Sequence, residues 1–313
     1  NFTIRNWISI FTAKHLNQAG ALVHIYTDGS IHVNHGGTEM GQGLYIKVAQ
    51  VVASAFQVDL ERVKVSATRT DKVPNTSPTA ASSGSDLNGM AALDACEKIL
   101  AGLTEFAAQN WSVSPETIRF SDNQVQIGEL EMPWETFVQT AYMNRVPLSS
   151  SGFYATPKIH YDPKSGTGRP FLYYSNCAAC AEVVVDTLTG EYRVLRTDIL
   201  FDAGRSLNPD IDIGQIEGGF VQGMGWLTTE ELVYSDDGRL LTTGPATYKI
   251  PAVSDCPPDM RVTLLPDSPN REATIFHSKA VGEPPLMLGI AVWSALRDAV
   301  SSLTDYRFSP PLD

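Results

Sequence analysis

The sequence is short of cysteine, of positive charge and of long apolar runs, and each shortage removes a class of protein. Four cysteines, Cys96, Cys177, Cys180 and Cys256, are spread over 313 residues. They are too few and too scattered to frame a disulfide-stapled domain, which fits a reducing, cytoplasmic compartment. Lysine and arginine number 23 against 35 aspartates and glutamates, a formal charge of -12. A chain so acidic offers no electrostatic footprint to phosphate backbones or anionic surfaces, so neither nucleic acid nor a membrane is an expected partner. No stretch reaches the roughly 18 apolar residues that span a bilayer. No charged-then-apolar leader follows Asn1, and the strand-like sequence that begins almost at once suggests a chain that starts inside a domain.

Several chemistries also lack their signatures. There is no P-loop, no G-x-G-x-x-G placed after a strand and no G-x-S-x-G, so nucleotide triphosphates, Rossmann dinucleotides and serine hydrolysis have no support. Of the six histidines, His32 and His35 fall on opposite faces of a strand, and His15, His24, His160 and His277 stand alone. Cys177 and Cys180 have C-x-x-C spacing, but they lead into a strand that points their sulfurs to opposite faces, and no second pair exists. No residue is assigned to a metal.

What is present is a globular chain whose 43% hydrophobic content can fill one large core or two ordinary ones. Ala21–Ile25 and Ser30–Asn34 read as strands joined by the Asp28-Gly29 turn. A glycine-rich turn follows, His35 to Gly43, then a helix from Leu44 to Phe56 with Leu44, Val48, Val51, Val52 and Ala55 on one face. Val63–Ser66 reads as a strand, and Ala80-Ala81-Ser82-Ser83-Gly84 as a small-residue turn before a helix from about Leu87 to Phe106. Residues 111–140 read as a surface unit with a short helix at Trp134–Tyr142. The Gly-, Pro- and Asp-rich stretch 161–170 is the expected internal boundary. Strands are expected at Phe171–Tyr174, Ala181–Asp186 and Glu191–Phe201. After a loop at Gly204–Pro209, residues 212–219 read as a second Gly-Gln turn before a helix through Phe220, Met224 and Leu227. The expected architecture is therefore α+β: two similar lobes of mixed or antiparallel sheet with packed helices, about 1–165 and 166–313, and a cofactor cleft at the lobe boundary.

Three helix starts, Gly41-Gln42-Gly43, Ala80-Ala81-Ser82 and Gly214-Gln215, thus offer backbone amides and glutamine side chains to a polar, anionic ligand. Each would serve equally well as an ordinary cap. A fourth start, Gly282-Glu283-Pro284-Pro285, holds a carboxylate between a glycine and two prolines ahead of an apolar helical run, Leu286–Val300. Glu283 in that setting suits either a helix cap or a proton acceptor.

These residues, with Leu16–Gly20, Gly36–Gly43, Val73–Ser82, Asp212–Gly218 and Lys279–Pro285 in order along the chain, resemble the xanthine dehydrogenase and aldehyde oxidase family of molybdenum hydroxylases. The resemblance implies the second, C-terminal molybdopterin-binding domain of the molybdenum-bearing part, here as a fragment. It implies Glu283 as the catalytic base and Gly41, Gln42, Gly43, Ala80, Ala81, Ser82 and Gln215 as residues that hold the pterin. Phe11 and Thr12 would line the substrate channel, and the metal would be held through the pterin. The implied reaction hydroxylates an electron-poor ring carbon of a purine, with water as the oxygen source and a buried Glu283 accepting a proton. Family members of the aldehyde branch share this base, and a cofactor-free domain is the third reading of the isolated chain. The implied partners are the N-terminal half of the molybdenum domain and 2Fe-2S, FAD and NAD sites on other domains or subunits of an oligomer. Asn6 to Thr12 departs from the family pattern by an extra residue and a missing glycine.

Overall fold

A computed structural model describes residues 2–7, 12–73 and 75–307, with only the backbone of 2–7. In chain order the strands are β1 (Phe2–Trp7), β2 (Gln18–Ile25), β3 (Ile31–His35), β4 (Val63–Val65), β5 (Ile118–Ser121), β6 (Gln124–Ile127), β7 (Leu130–Pro133), β8 (Ser149–Ala155), β9 (His160–Asp162), β10 (Thr167–Arg169), β11 (Tyr174–Val185), β12 (Tyr192–Phe201) and β13 (Asp259–Leu264). The α-helices are α1 (Leu44–Phe56), α2 (Gly84–Trp111), α3 (Trp134–Met143), α4 (Pro209–Trp226) and α5 (Ile290–Ser302). The described residues form two compact units, one of 12–172 with 272–276, the other of 2–7, 173–271 and 277–307. The units are therefore not contiguous halves. β1 belongs with the C-terminal sequence because its backbone pairs antiparallel with β11.

In the first unit the Asp28-Gly29 turn closes as read: Gly29 takes φ +81°, and the Asp28 carboxylate accepts from the Ser30 amide at 2.9 Å. β2 and β3 pair antiparallel, and their apolar residues Val23, Ile25, Ile31 and Val33 all turn inward. The sheet order is β4-β3-β2-β8. α1 spans the residues that its periodicity marks, ending where Gln57 turns left-handed and its amide bonds back to Ala53. α2 is longer than expected, and its buried face is mostly small: Ala91, Ala92, Ala95, Cys96 and Ala107. That face lets the helix backbone approach β8 so closely that any side chain at Gly152 would overlap the Ala91 carbonyl.

Residues 111–140 are mostly exposed or half-buried and contain the expected short helix, but they also pack into the core. They build a three-stranded meander, β5-β6-β7, and α3, whose Trp134 and Phe137 are 1% and 0% exposed. Burial of each ring contributes roughly 2–3 kcal/mol before entropic costs. Trp134 packs on Phe56 with ring centroids 5.6 Å apart, and its indole N–H donates to the Gly29 carbonyl at 2.8 Å. The strands escape the periodicity because each is only four residues long. The stretch 161–170 is a small hairpin, β9-β10, inside the first unit.

The second unit repeats the topology of the first. Its sheet runs β13-β12-β11-β1. In both units an antiparallel pair is followed by a helix and a strand parallel to the second member of the pair: β2-β3-α1-β4, then β11-β12-α4-β13. The fourth strand adds antiparallel to the first member in each case. Phe201, Ile216, Phe220, Leu288 and Val292 fill its core, all at 0% exposure. The expected α+β pair of similar lobes is thus found, built on one topology used twice. Among the described residues no helix is long and apolar enough to cross a membrane.

Candidate functional site

The glycine-rich turn 36–43 carries the chain from β3 into α1. Gly41 and Gly43 have φ of +99° and +74°, values that favour glycine, and nothing lies within 4 Å of where a Cβ on Gly41 would sit. The turn is closed by a residue that the motif reading passes over. Glu39 accepts hydrogen bonds from the amides of Gly41, Gly43 and Tyr45, each at 2.9 Å, and so caps α1. Burial alone would raise its pKa, but the amides of Tyr45, Gly43, Gly41 and Leu44 outweigh burial and hold it below the usual carboxylate value. Gln42 also works within the turn: its Oε1 accepts from the Met40 amide at 2.6 Å and its Nε2 donates to the Thr38 carbonyl at 2.8 Å. The helix-start amides expected to face an anion are here accepted by Glu39. An acidic residue in the last residues before a helix was the available signal.

The second turn, 80–82, is strained. Ala81 and Ser82 both adopt left-handed backbone angles, φ +58° and +51°, a conformation that costs a non-glycine residue about 1 kcal/mol or more. Ser83 precedes α2, but its hydroxyl donates back to the Ala80 carbonyl at 3.1 Å and does not cap the helix. Ala80 is exposed, Ser82 half-buried and Ala81 buried. The structure brings this turn beside the first: the Thr38 amide donates to Thr79 Oγ1 at 2.9 Å. The two turns are adjacent, one with open space at Gly41 and one strained at Ala81 and Ser82, and the Gly41 and Gly43 amides of the first are taken up by Glu39. The six residues Gly41, Gln42, Gly43, Ala80, Ala81 and Ser82 thus share one neighbourhood.

Gln215 and Glu283 belong to the second unit. The sequence placed Gln215 at a helix start, and the structure corrects this. α4 begins at Pro209, where Asn208 is the N-cap and accepts from the Ile211 amide at 3.1 Å, so Gln215 lies in its second turn. The glycines that looked like a turn are helical because α4 packs by its backbone: a Cβ on Gly219 would lie 3.0 Å from Pro285 Cβ and 3.6 Å from the Gly282 carbonyl. Gln215, one turn before Gly219, lies on the same side of α4.

The segment that leads to Glu283 is pinned from both sides. The Lys279 amide donates to the Ala203 carbonyl at 2.8 Å, and Asn270 Nδ2 donates to the Ser278 carbonyl at 3.1 Å. Tyr173 accepts at its hydroxyl from the Ala280 amide at 3.2 Å, and Ser175 donates to the Ala280 carbonyl at 3.3 Å. The Lys279 ammonium pairs with the Asp202 carboxylate, which is 3% exposed and also accepts from the Gly204 amide and the Ser268 hydroxyl. After this run, Glu283 stands immediately before a 3-10 turn, Pro284–Gly289, that precedes α5, in place of the continuous helix expected from Leu286. Glu283 is exposed in this chain, which differs from the buried setting expected of it. The two prolines that follow it, Pro284 and Pro285, are buried and anchor its backbone.

Of the expected channel residues, Thr12 is exposed and Phe11 lies outside the described residues. Cys177 is buried and Cys180 exposed, the two faces that their spacing predicts. His24 does not stand alone: the β2-β3 register sets it opposite His32, with rings stacked at 6.1 Å. Among the described residues no group of three or more His, Cys, Asp or Glu is placed to hold a metal ion.

A family model described as a molybdopterin cofactor-binding domain matches residues 2–257. Xanthine dehydrogenase of Dictyostelium discoideum is 52% identical over 295 residues, which cover 93% of this chain and 20% of that protein. Xanthine dehydrogenase/oxidase of Felis catus is 51% identical over 290 residues, with the same shares covered. The chain therefore spans about a fifth of the length of the curated relatives it matches. Among solved structures, quinoline 2-oxidoreductase from Pseudomonas putida superposes with a TM-score of 0.80 at 26% identity, over 92% of this chain and 36% of that one. CO dehydrogenase from Oligotropha carboxidovorans shares the fold, with a TM-score of 0.78 at 20% identity over 91% of this chain and 34% of that one.

Proposed function

The chain belongs to the molybdopterin cofactor-binding domain family, and from that premise we propose that it is the C-terminal part of the molybdenum portion of a xanthine dehydrogenase, hydroxylating hypoxanthine and xanthine toward urate. The observation that carries the reading is the presentation of Glu283. Its backbone follows a segment pinned at residues 278–280 and leads into two buried prolines, so the point from which the side chain extends is fixed, as a proton acceptor in a fixed reaction geometry requires. Identity near 50% to xanthine dehydrogenases supports the purine substrate over others.

When bound, the cofactor supplies the two-electron redox centre at which the ring carbon is oxidised. The residues of this chain bind and orient. Gly41, Gln42 and Gly43 offer the open side of the first turn, Ala80, Ala81 and Ser82 offer main-chain groups at the strained second turn, and Gln215 adds a side-chain amide that donates and accepts. Phe11 and Thr12 contact the purine. Glu283 takes up a proton at its carboxylate as the oxygen drawn from water is transferred. In this proposal 2Fe-2S, FAD and NAD sites lie in other domains or subunits, which accept the electrons, and the assembly is an oligomer in the cytoplasm.

The test is production of the full-length protein, followed by metal and pterin analysis and an assay of xanthine conversion to urate. The expected result is molybdenum and pterin in equal amounts and turnover of xanthine. A pterin-loaded protein that oxidises aldehydes but leaves xanthine untouched would defeat the purine assignment.

A further inference from the structure

Two buried polar side chains in the unit of residues 12–172 and 272–276 have no part in the roles above. His35 ends β3 and is 2% exposed, and Asn88 stands in the second turn of α2 at 6%. They meet at one backbone amide. The Gly37 N–H is shared between His35 Nδ1 and Asn88 Oδ1, each at 3.1 Å. The Asn88 side chain also bonds within its own helix, its Nδ2 donating to the Gly84 carbonyl at 2.8 Å in the first turn of α2, directly after the second loop. One asparagine thus accepts from the turn that carries Gly41–Gly43 and donates to the helix that follows Ala80–Ser82.

The fit around this contact is close. A Cβ on Gly37 would lie 2.5 Å from Leu44 Cδ2 and 2.7 Å from Asn88 Nδ2, so the turn is seated against both helices. Thr38 and Thr79 tie the same two loops at their outer edge. The tautomer of His35 follows from the geometry. A ring whose Nδ1 accepts from Gly37 carries its proton on Nε2, which is buried without a hydrogen-bond partner. Burial pushes the His35 pKa down to about 4, against the Asn88 contact and the Glu39 charge, which favour the protonated ring. Tyr45 meets the ring edge-on at 5.2 Å. The ring therefore stays neutral near pH 7 and its Nδ1 remains an acceptor; a protonated ring would set one N–H against another.

We propose that His35 and Asn88 are positioning residues that fix the spacing of the two pterin-contacting turns, Gly41–Gly43 and Ala80–Ser82, through the shared Gly37 amide. The proposal rests on the cofactor reading above.

The experiment uses the full-length protein and follows pterin lost per hour on dialysis, alongside thermal unfolding. Asn88→Ala and His35→Leu are expected to lose pterin about tenfold faster than the parent, in keeping with removal of a buried hydrogen-bond acceptor. His35→Asn, whose Oδ1 can take the place of the ring Nδ1, is expected to stay within about twofold of the parent. If His35 merely filled space, leucine would be tolerated and asparagine would not, and that order of results overturns the proposal. Where Asn88→Ala or His35→Leu fails to accumulate as folded protein, Thr79→Val must show the faster loss; retention at the parent rate overturns the proposal in that case. A parent protein that contains no pterin fails the cofactor reading itself and takes the proposal with it, whereas a loaded parent with variants that retain pterin equally fails the proposal alone.

Discussion

Gly223 of α4 lies against the carbonyl of Leu286, so close that a Cβ at 223 would overlap the oxygen. The contact is mutual, because Gly289 at the end of the same 3-10 turn faces the Gly223 backbone with no room for a side chain. Helix α4, which carries Gln215, and the turn that Glu283 opens are therefore held together backbone to backbone.

Gly223→Ala is expected to destabilise the protein by about 2–3 kcal/mol through overpacking. Gly218→Ala is the control: it is exposed in the same helix, with nothing within 4 Å of where its Cβ would sit, and should stabilise by roughly 0.5–1 kcal/mol. Thermal unfolding of the two variants should move in opposite directions.

Replacing Glu283 by Gln keeps the shape of the side chain and removes its basicity. In the full-length protein the variant should keep its pterin and molybdenum while xanthine turnover falls by about a thousandfold or more. Turnover within tenfold of the parent would reject Glu283 as the base.

His35 makes stability depend on pH. Its pKa is about 4 in the folded chain against an ordinary 6.5, so below pH 6.5 the unfolded chain takes up a proton that the folded chain refuses. Stability should therefore be complete above pH 6.5 and fall as the pH drops toward 4, by at most roughly 3 kcal/mol. Denaturant unfolding of parent and His35→Asn at pH 7.5 and pH 5 checks this. The parent should lose more stability than the variant, and equal losses would contradict it.

The Asp202 and Lys279 pair is buried, so breaking one side should be worse than removing both. Lys279→Met leaves an unpaired carboxylate and is expected to cost about 3–5 kcal/mol, while the double change Asp202→Leu with Lys279→Met should recover part of that loss. A double-mutant cycle on unfolding free energies measures the difference. Additive single and double changes would show that the two groups do not act as a pair.

Much of the fold was legible because local chemistry and tertiary role agreed. The Asp28-Gly29 turn, the apolar face of α1 and the alternation of β2 each carry their own signal, and the structure keeps them, with β2 beginning three residues earlier than read. Reading failed where packing overrode local preference. Residues 214–225 hold five glycines, Gly214, Gly218, Gly219, Gly223 and Gly225, yet are helical, because Gly219 and Gly223 let α4 meet Pro285 and Leu286 directly. Asn208-Pro209 marked the true start of that helix. The meander at 118–133 was missed because four-residue strands leave too short a pattern to read.

The sequence by itself determined the family and the glycine-rich turn before α1, since glycines declare backbone geometry locally. Only the tertiary structure decided which groups that turn leaves available. Glu39 takes the amides of Gly41 and Gly43, and Asn88 reaches 51 residues back to Gly37. A hydrogen bond depends on distance in space, and no spacing along the chain encodes that an asparagine in one helix will share an amide with a histidine at the end of a strand.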